Sequence, residues 1–415
     1  MKILFLVYFI RLLSIISSDS SCPDGCLCQD DEDLISCFGL NIDRIPSNWP
    51  AHYKKIHLIE CDLTTIQKNA FRRWNQLEEI HIERNQKLDL IDKLAFKGLK
   101  KLREIHILHN PRITILLKST FSSIQNEMGL NIHISNNSLE MIESGAFKNA
   151  NNIRNLKIEE KCFILQEEAL GSITQIDFIY LSGLCSINQF AFTNTSRVHS
   201  FNIFNSKFSI LPKAFSFLNH VYQLSIYDNT ITLISEDSFS NIKTIGTIKI
   251  EKNTIDVIKG RAFVGMENVG SIIISNNNII SSLSTPEILL IDPGSKIEFR
   301  ENSVNCNCDI IWMDRWEDKS FAEENYCGPN EGRKSVFFYK PPDCHLVSQG
   351  DLISENDKSS IKVRDKESQF EHVQSSKLLT NYVTSGYYSI FHLNINLSLI
   401  IPSIFYIIFN VSRNF

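Results

Sequence analysis

The sequence predicts an α/β repeat solenoid: a horseshoe whose concave side is a parallel β-sheet of about eleven strands, with disulfide caps closing both ends. Three observations carry this. An apolar-x-apolar triplet recurs through the middle of the 415-residue chain, an asparagine recurs three residues behind it, and eight of the 11 cysteines form two clusters flanking the repeats. A unit of this kind cannot bury its own apolar face, so units stack, each adding one short strand to a continuous sheet.

The triplets start at Ile56, Ile80, Ile105, Ile132, Leu156, Ile176, Phe201, Leu224, Ile248, Ile272 and Ile297, at intervals of 24, 25, 27, 24, 20, 25, 23, 24, 24 and 25 residues. Asn85, Asn110, Asn137, Asn229, Asn253, Asn277 and Asn302 follow most of them, with Cys61 in the first unit; Lys161, Leu181 and Ser206 take the place where the asparagine fails. A later phenylalanine recurs at Phe71, Phe96, Phe121, Phe147, Phe192, Phe215, Phe239 and Phe263, with Leu170 replacing one. The pattern resembles the L-x-x-L-x-L-x-x-N/C-x-L leucine-rich repeat in its extracellular form of roughly 24 residues. Strand alternation sends the outer triplet residues inward and the centre outward. The asparagine satisfies backbone groups where the chain leaves the strand, and the phenylalanines stack beneath the convex side.

Both ends of such a stack need lids. Cys22, Cys26, Cys28 and Cys37 precede the repeats; Cys306, Cys308, Cys327 and Cys344 follow them, with "CDIIWMDRW" between. In spacing and position these resemble the cysteine-rich caps of extracellular leucine-rich-repeat proteins of the Nogo receptor, Slit and connectin type, with a weaker likeness to glycoprotein-hormone receptor ectodomains. The resemblance implies the pairs Cys22–Cys28, Cys26–Cys37, Cys306–Cys327 and Cys308–Cys344. Of the other cysteines, Cys61 fills the small buried ladder position. Cys162 and Cys185 stand in adjacent units where the asparagine fails, and are expected to form a bridge; two separately buried thiols are the alternative.

The expected organisation is a signal peptide over 1–20, an N-terminal cap over 21–47, repeats over 48–302, a C-terminal cap over 303–346, a disordered stalk over 347–385 and a hydrophobic tail over 386–415. The leader has Lys2, an apolar core and small residues before Ser21 and Cys22, which places the cysteines in an oxidising compartment. The apolar run Leu397–Phe409 contains Pro402 and is shorter than the roughly 20 residues of a spanning helix. It reads as a glycolipid-anchor signal, with a single-pass segment and a secreted form as alternatives. Sequons at Asn136 and Asn194 are expected to be glycosylated, whereas those at Asn396 and Asn410 fall in the tail.

The concave positions carry a column of four histidines, His57, His81, His106 and His133, with Glu79, Glu83 and Glu104 beside them. Three readings apply: a solvated contact stripe, a pH-sensitive surface favoured by histidine titration near 6.5, and zinc binding, which a flat ladder serves badly because its ligands do not converge. Further along, the same positions turn aromatic and apolar at Ile179, Tyr180, Phe204, Tyr227 and Ile273. Exposed clusters of this kind mark contacts, so the expected footprint centres on Tyr180, Phe204 and Tyr227.

No HExxH, glycine-rich phosphate loop or nucleophile elbow is present. The net charge of −5 argues against a nucleic-acid partner. No cofactor, metal or small-molecule substrate is expected. The reading is a membrane-tethered extracellular recognition or adhesion protein that binds a protein partner on its concave face, as co-receptor or adhesion molecule. A secreted matrix regulator or ligand trap is the main rival, and a metal-dependent hydrolase built on the histidine column a remote one.

Overall fold

Apolar residues at every second position of a short strand, repeated at near-constant intervals, leave the chain one economical solution: coil, and bury each strand against the next turn. The computed structural model does this. It describes residues 22–340 apart from 282, 284–290, 292–293, 316–318 and 329–332. The leader, stalk, apolar tail with its two sequons, and Cys344 lie outside the described residues.

Among the described residues, twelve parallel strands form the concave sheet, from Leu34–Phe38 to Lys296–Arg300. Eleven come from the repeats. The twelfth, Leu34–Phe38, belongs to the N-terminal cap and pairs with Lys55–Ile59. In Lys55–Ile59, Glu79–Glu83 and Glu104–Leu108 the outer triplet residues are buried while the centre and both flanks are half exposed. On the far side, rings stack along Phe71, Phe96, Phe121 and Phe147 at centroid distances of 5.9, 5.2 and 4.8 Å. They resume along Phe192, Phe215, Phe239 and Phe263 at 5.2, 4.9 and 5.0 Å, with buried Leu170 between the two runs.

The buried asparagines form a continuous ladder. Asn253 Oδ1 accepts from the backbone N–H and the Nδ2 of Asn229, each at 3.0 Å. Asn253 Nδ2 donates to the carbonyls of Ile226 and Glu251. The same contacts run from Cys61 through Asn85 and Asn110 to Asn137. They run again from Asn229 to Asn302 and on to Asn325 in the C-terminal cap. Each side chain thus fills the orphaned groups of two neighbouring turns.

The middle of the array departs from the expected frame. Leu156 pairs with Ile179, Lys157 with Tyr180 and Ile158 with Leu181, and Ile179 pairs in turn with Phe201. The sixth triplet therefore starts at Ile179 and not at Ile176, and Ile179 is a fully buried core residue rather than a concave surface residue. The reason is that these strands reach three residues further back, so that Ile153, Ile176 and Val198 form an additional buried row. The surrounding intervals become 23 and 22 residues. With the frame corrected, Leu181 is a triplet residue, Leu184 holds the ladder position, and the ladder gap is bridged differently. Glu160 Oε1 accepts from Asn137 N and Nδ2 at 3.1 and 2.8 Å, so Glu160, not the exposed Lys161, acts as the rung. Ser206 Oγ accepts from the N–H groups of Gly183 and Leu184, each at 3.0 Å. Gly183 is at φ +83, and a Cβ there would lie 1.7 Å from the Glu160 carbonyl oxygen, so only glycine fits.

The cysteines are bonded as Cys22–Cys28, Cys26–Cys37, Cys162–Cys185 and Cys306–Cys327. Cys308 is also disulfide-bonded. Among the described residues Cys61 alone is free, buried in the ladder with its N–H on Asn85 Oδ1. The Cys162–Cys185 bond joins the two turns where no asparagine links them. At the C-terminal end, Phe321 packs 6.2 Å from Phe299 and Trp312 Nε1 donates to the Leu283 carbonyl at 2.6 Å.

Replacing a ladder asparagine strands buried polar groups on both neighbours, at about 1–3 kcal/mol for each group left unpaired. Asn253→Ala is expected to destabilise the array by at least about 2 kcal/mol. Urea unfolding followed by far-ultraviolet circular dichroism checks this; an unchanged midpoint would show that water replaces the amide without loss.

Candidate functional site

The register places the concave side chains in straight columns. The centre column reads His57, His81, His106, His133, Lys157, Tyr180, Asn202, Ser225, Lys249, Ile273 and Glu298. Together with the flanking columns, it presents a charged part at the N-terminal end and an aromatic part in the middle of the array.

In the charged part the four imidazoles are half exposed, with ring centroids 5.2, 5.4 and 6.0 Å apart. Each has its own carboxylate: Glu79 for His57 at 2.8 Å, Glu83 for His81 at 2.7 Å, Glu104 for His106 at 3.6 Å and Glu159 for His133 at 3.4 Å. Arg84 also reaches Glu83, and Lys157 reaches Glu159 at 2.6 Å. The hydrogen bond from His57 holds Glu79 below the usual carboxylate range against the opposing effect of burial. For His106, burial and then the neighbouring His81 depress the imidazole below its usual 6.5, outweighing Glu104. For His133, burial and then Lys157 do the same against Glu159. At His106 and His133 the carboxylates thus do not offset the effect of burial. Among the described residues, no group of three or more His, Cys, Asp or Glu side chains is placed to hold a metal ion.

In the aromatic part, Tyr180 stands 6.3 Å from Phe178 with near-parallel rings, and Phe204 stacks on Tyr227 at 5.5 Å and 8°. Burial, then Asp228 and Tyr180, push the Tyr227 phenol up. The strip extends through side chains that the expected frame hid. Phe178 meets His199 edge-on at 5.5 Å, and His199 stacks on Tyr222 at 5.1 Å and 4°. Tyr222 is 67% exposed, among the most exposed apolar side chains described. Between the rings lie Ser182, Ser200, Asn202, Gln223 and Ser225, small or amide side chains without charge. Choosing the triplet frame by even spacing would have exposed Phe178, because the Ile179 start removes both the 20- and the 25-residue interval.

Asn136 and Asn194 are both exposed, at φ +52 and +60. Asn136 stands at the edge of the concave sheet, beside a cleft of about 530 Å³ that also includes His109, Glu160 and Lys161. Burial raises the Glu160 carboxyl above its usual 4.5 despite the Asn137 hydrogen bonds.

Residues 51–177 match the family model of the BspA type leucine rich repeat region, in six copies, and residues 219–279 match the leucine rich repeat model. The array is built of leucine-rich repeats. With disulfides near both ends, it fits an extracellular leucine-rich-repeat protein with cysteine-rich caps. Leucine-rich repeat-containing protein 3B of Bos taurus, Mus musculus and Homo sapiens is in each case 29% identical over 83 residues, 20% of this chain. The chain spans 32% of the length of these relatives. Among solved structures, one chain of the octameric complex of latrophilin 3 (Lec, Olf), Unc5D (Ig, Ig2, TSP1) and FLRT2 (LRR) aligns with a TM-score of 0.44 at 16% identity, covering 77% of this chain and 98% of that one. Human 5T4 (Wnt-activated inhibitory factor 1, trophoblast glycoprotein) aligns at 0.32 and 15%, covering 76% and 94%.

Two pH effects follow, with opposite signs. His106 and His133 resist protonation when folded, so the unfolded chain takes up protons first and stability falls as the pH drops below 6.5. His106→Gln with His133→Gln is expected to flatten that acid limb in thermal melts. Glu160 holds its proton to higher pH when folded than when unfolded, so the stability it supplies below pH 4.5 is lost as the pH rises through its elevated value. Glu160→Gln keeps the Oε1 acceptor for Asn137 and is expected to raise the melting temperature at pH 7 but not at pH 4. A gain of equal size at both would show that ionisation is not the cause.

Proposed function

We propose that the chain is an extracellular recognition or adhesion protein, tethered to the membrane by its C-terminal tail, that binds a protein partner on the concave face and serves as co-receptor or adhesion molecule. The observation that carries this reading is the strip of half-exposed rings at Phe178, Tyr180, Phe204 and Tyr227, set among uncharged polar side chains on a rigid sheet. Tyrosine with serine and amide neighbours supplies large contact area at small entropic cost and adaptable hydrogen bonding. The disulfides agree with an oxidising compartment. The histidine column forms a half-polar extension of the same surface.

The footprint is expected to behave as a hot spot. With the full chain displayed on cells and a partner captured from cell surfaces, Tyr180→Ala and Tyr227→Ala should each weaken binding about ten-fold or more, roughly 1.4 kcal/mol. His57→Ala, at the far end of the sheet, should change it little. The reverse order would move the footprint to the histidines. Release by a phosphatidylinositol-specific phospholipase supports the tether, and free shedding without it favours the secreted regulator.

A further inference from the structure

The convex turns contain an apolar feature that neither the core nor the concave face uses. Among the described residues, successive turns from Asn69 to Arg261 pass through a left-handed residue at a fixed place, joined to the next turn by a backbone hydrogen bond: Glu168 N–H to Phe190 O, Phe190 N–H to Lys213 O and Lys213 N–H to Asp237 O, each 3.0 Å. A second such position follows four residues later: Asn194 N–H donates to Phe217 O and Phe217 N–H to Asn241 O, each 3.1 Å. Phe190 and Phe217 therefore hold φ +58 and +62, a conformation that is sterically costly for a bulky side chain. Their neighbours in the two columns are Glu168, Lys213, Asp237 and Asn241, residues that suit a solvated turn.

The two phenylalanines stack on each other at 5.9 Å and 25°, with Lys213 Nζ 6.0 Å over the Phe190 ring, and Phe217 is 42% exposed. A strained backbone with one half-buried and one exposed ring recommends neither residue for folding. What they share is a neighbour. Phe190 precedes Asn194 in the same turn, and Phe217 occupies the position of Asn194 in the next turn, about 4.8 Å away. Asn194 is exposed and begins the sequon Asn194-Thr195-Ser196.

We propose that Phe190 and Phe217 form a seat for the first N-acetylglucosamine of a glycan linked to Asn194. A β-linked N-acetylglucosamine presents one face of C–H groups, which packs against the electron-rich face of an aromatic ring, and linkage to Asn194 delivers that sugar beside the pair without a binding step. The seat removes apolar ring surface from water and holds the glycan against the convex side, away from the concave sheet. It rests on the extracellular reading above, which brings the chain to the glycosylation machinery.

The test uses the full chain made in a secretory cell line with high-mannose glycans, and the variant Phe190→Glu/Phe217→Asn. Both replacements are taken from the same columns in adjoining turns, where they fold. Peptide mapping should find Asn194 occupied. Complete removal with peptide N-glycosidase should lower the melting temperature by about 1–3 °C, while trimming with endoglycosidase H, which leaves the first sugar, should preserve most of the difference. The variant should lose this response, and the N-acetyl methyl protons of the first sugar should move upfield only in the unmodified sequence. An occupied Asn194 with equal losses in both proteins overturns the seat and leaves the extracellular reading intact. A chain without any N-glycan overturns both. Dimers that dissociate in the variant would assign the pair to self-association and overturn the seat as well.

Discussion

One hydrogen-bonding unit recurs through the array: a buried amide whose oxygen accepts two N–H groups from the preceding turn while its nitrogen closes two carbonyls. Nothing in a coil of short strands and irregular turns satisfies those groups otherwise, and an unpaired buried amide is expensive. The spacing of the repeats, the straight columns on the concave face and the parallel stacking of the phenylalanines all follow from keeping that unit in register. The variations are chemically conservative. Cys61, Glu160 and Ser206 each supply part of the function of the asparagine, as a small side chain with a paired N–H or as an oxygen acceptor.

Most of the fold was legible because the repeat writes the same physics many times. A triplet of Ile-His-Ile states at once which side is buried, and seven asparagines fix the turn. Where the repeat weakens, legibility fails for a definite reason. "IDFIYL" contains two consecutive apolar-x-apolar triplets, Ile176-x-Phe178 and Ile179-x-Leu181, and without an asparagine behind it the alternation does not choose between them. The choice moved Ile179 from surface to core and hid Phe178. Asn325 was missed because its strand, Tyr326–Cys327, lies on the convex side of the cap and no concave triplet precedes it. His199 and Tyr222 were missed because they belong to the backward extension of the strands, which a three-residue pattern does not describe.

The concave sheet carries two different chemistries on one scaffold. At the N-terminal end, imidazoles and carboxylates contact each other, so a partner must replace those contacts and desolvate the carboxylates before it gains its own. In the middle, rings and short polar groups leave few charges to desolvate. The same frame therefore makes one part selective against approach and the other permissive, and the split falls where the ladder is interrupted.

That interruption has a mechanical consequence. In a one-dimensional stack each turn is held only by its neighbours, so tension applied at the two ends passes through every joint in series. The joint between Glu160 and Gly183 lacks an asparagine in the ladder position, and it is also where Cys162 and Cys185 place a covalent bond. A molecule joining two cells, or a cell and its matrix, would meet such tension. In an oxidising medium that joint would be held by a covalent bond in addition to its long strand pairing, and under reducing conditions by strand pairing without an asparagine rung.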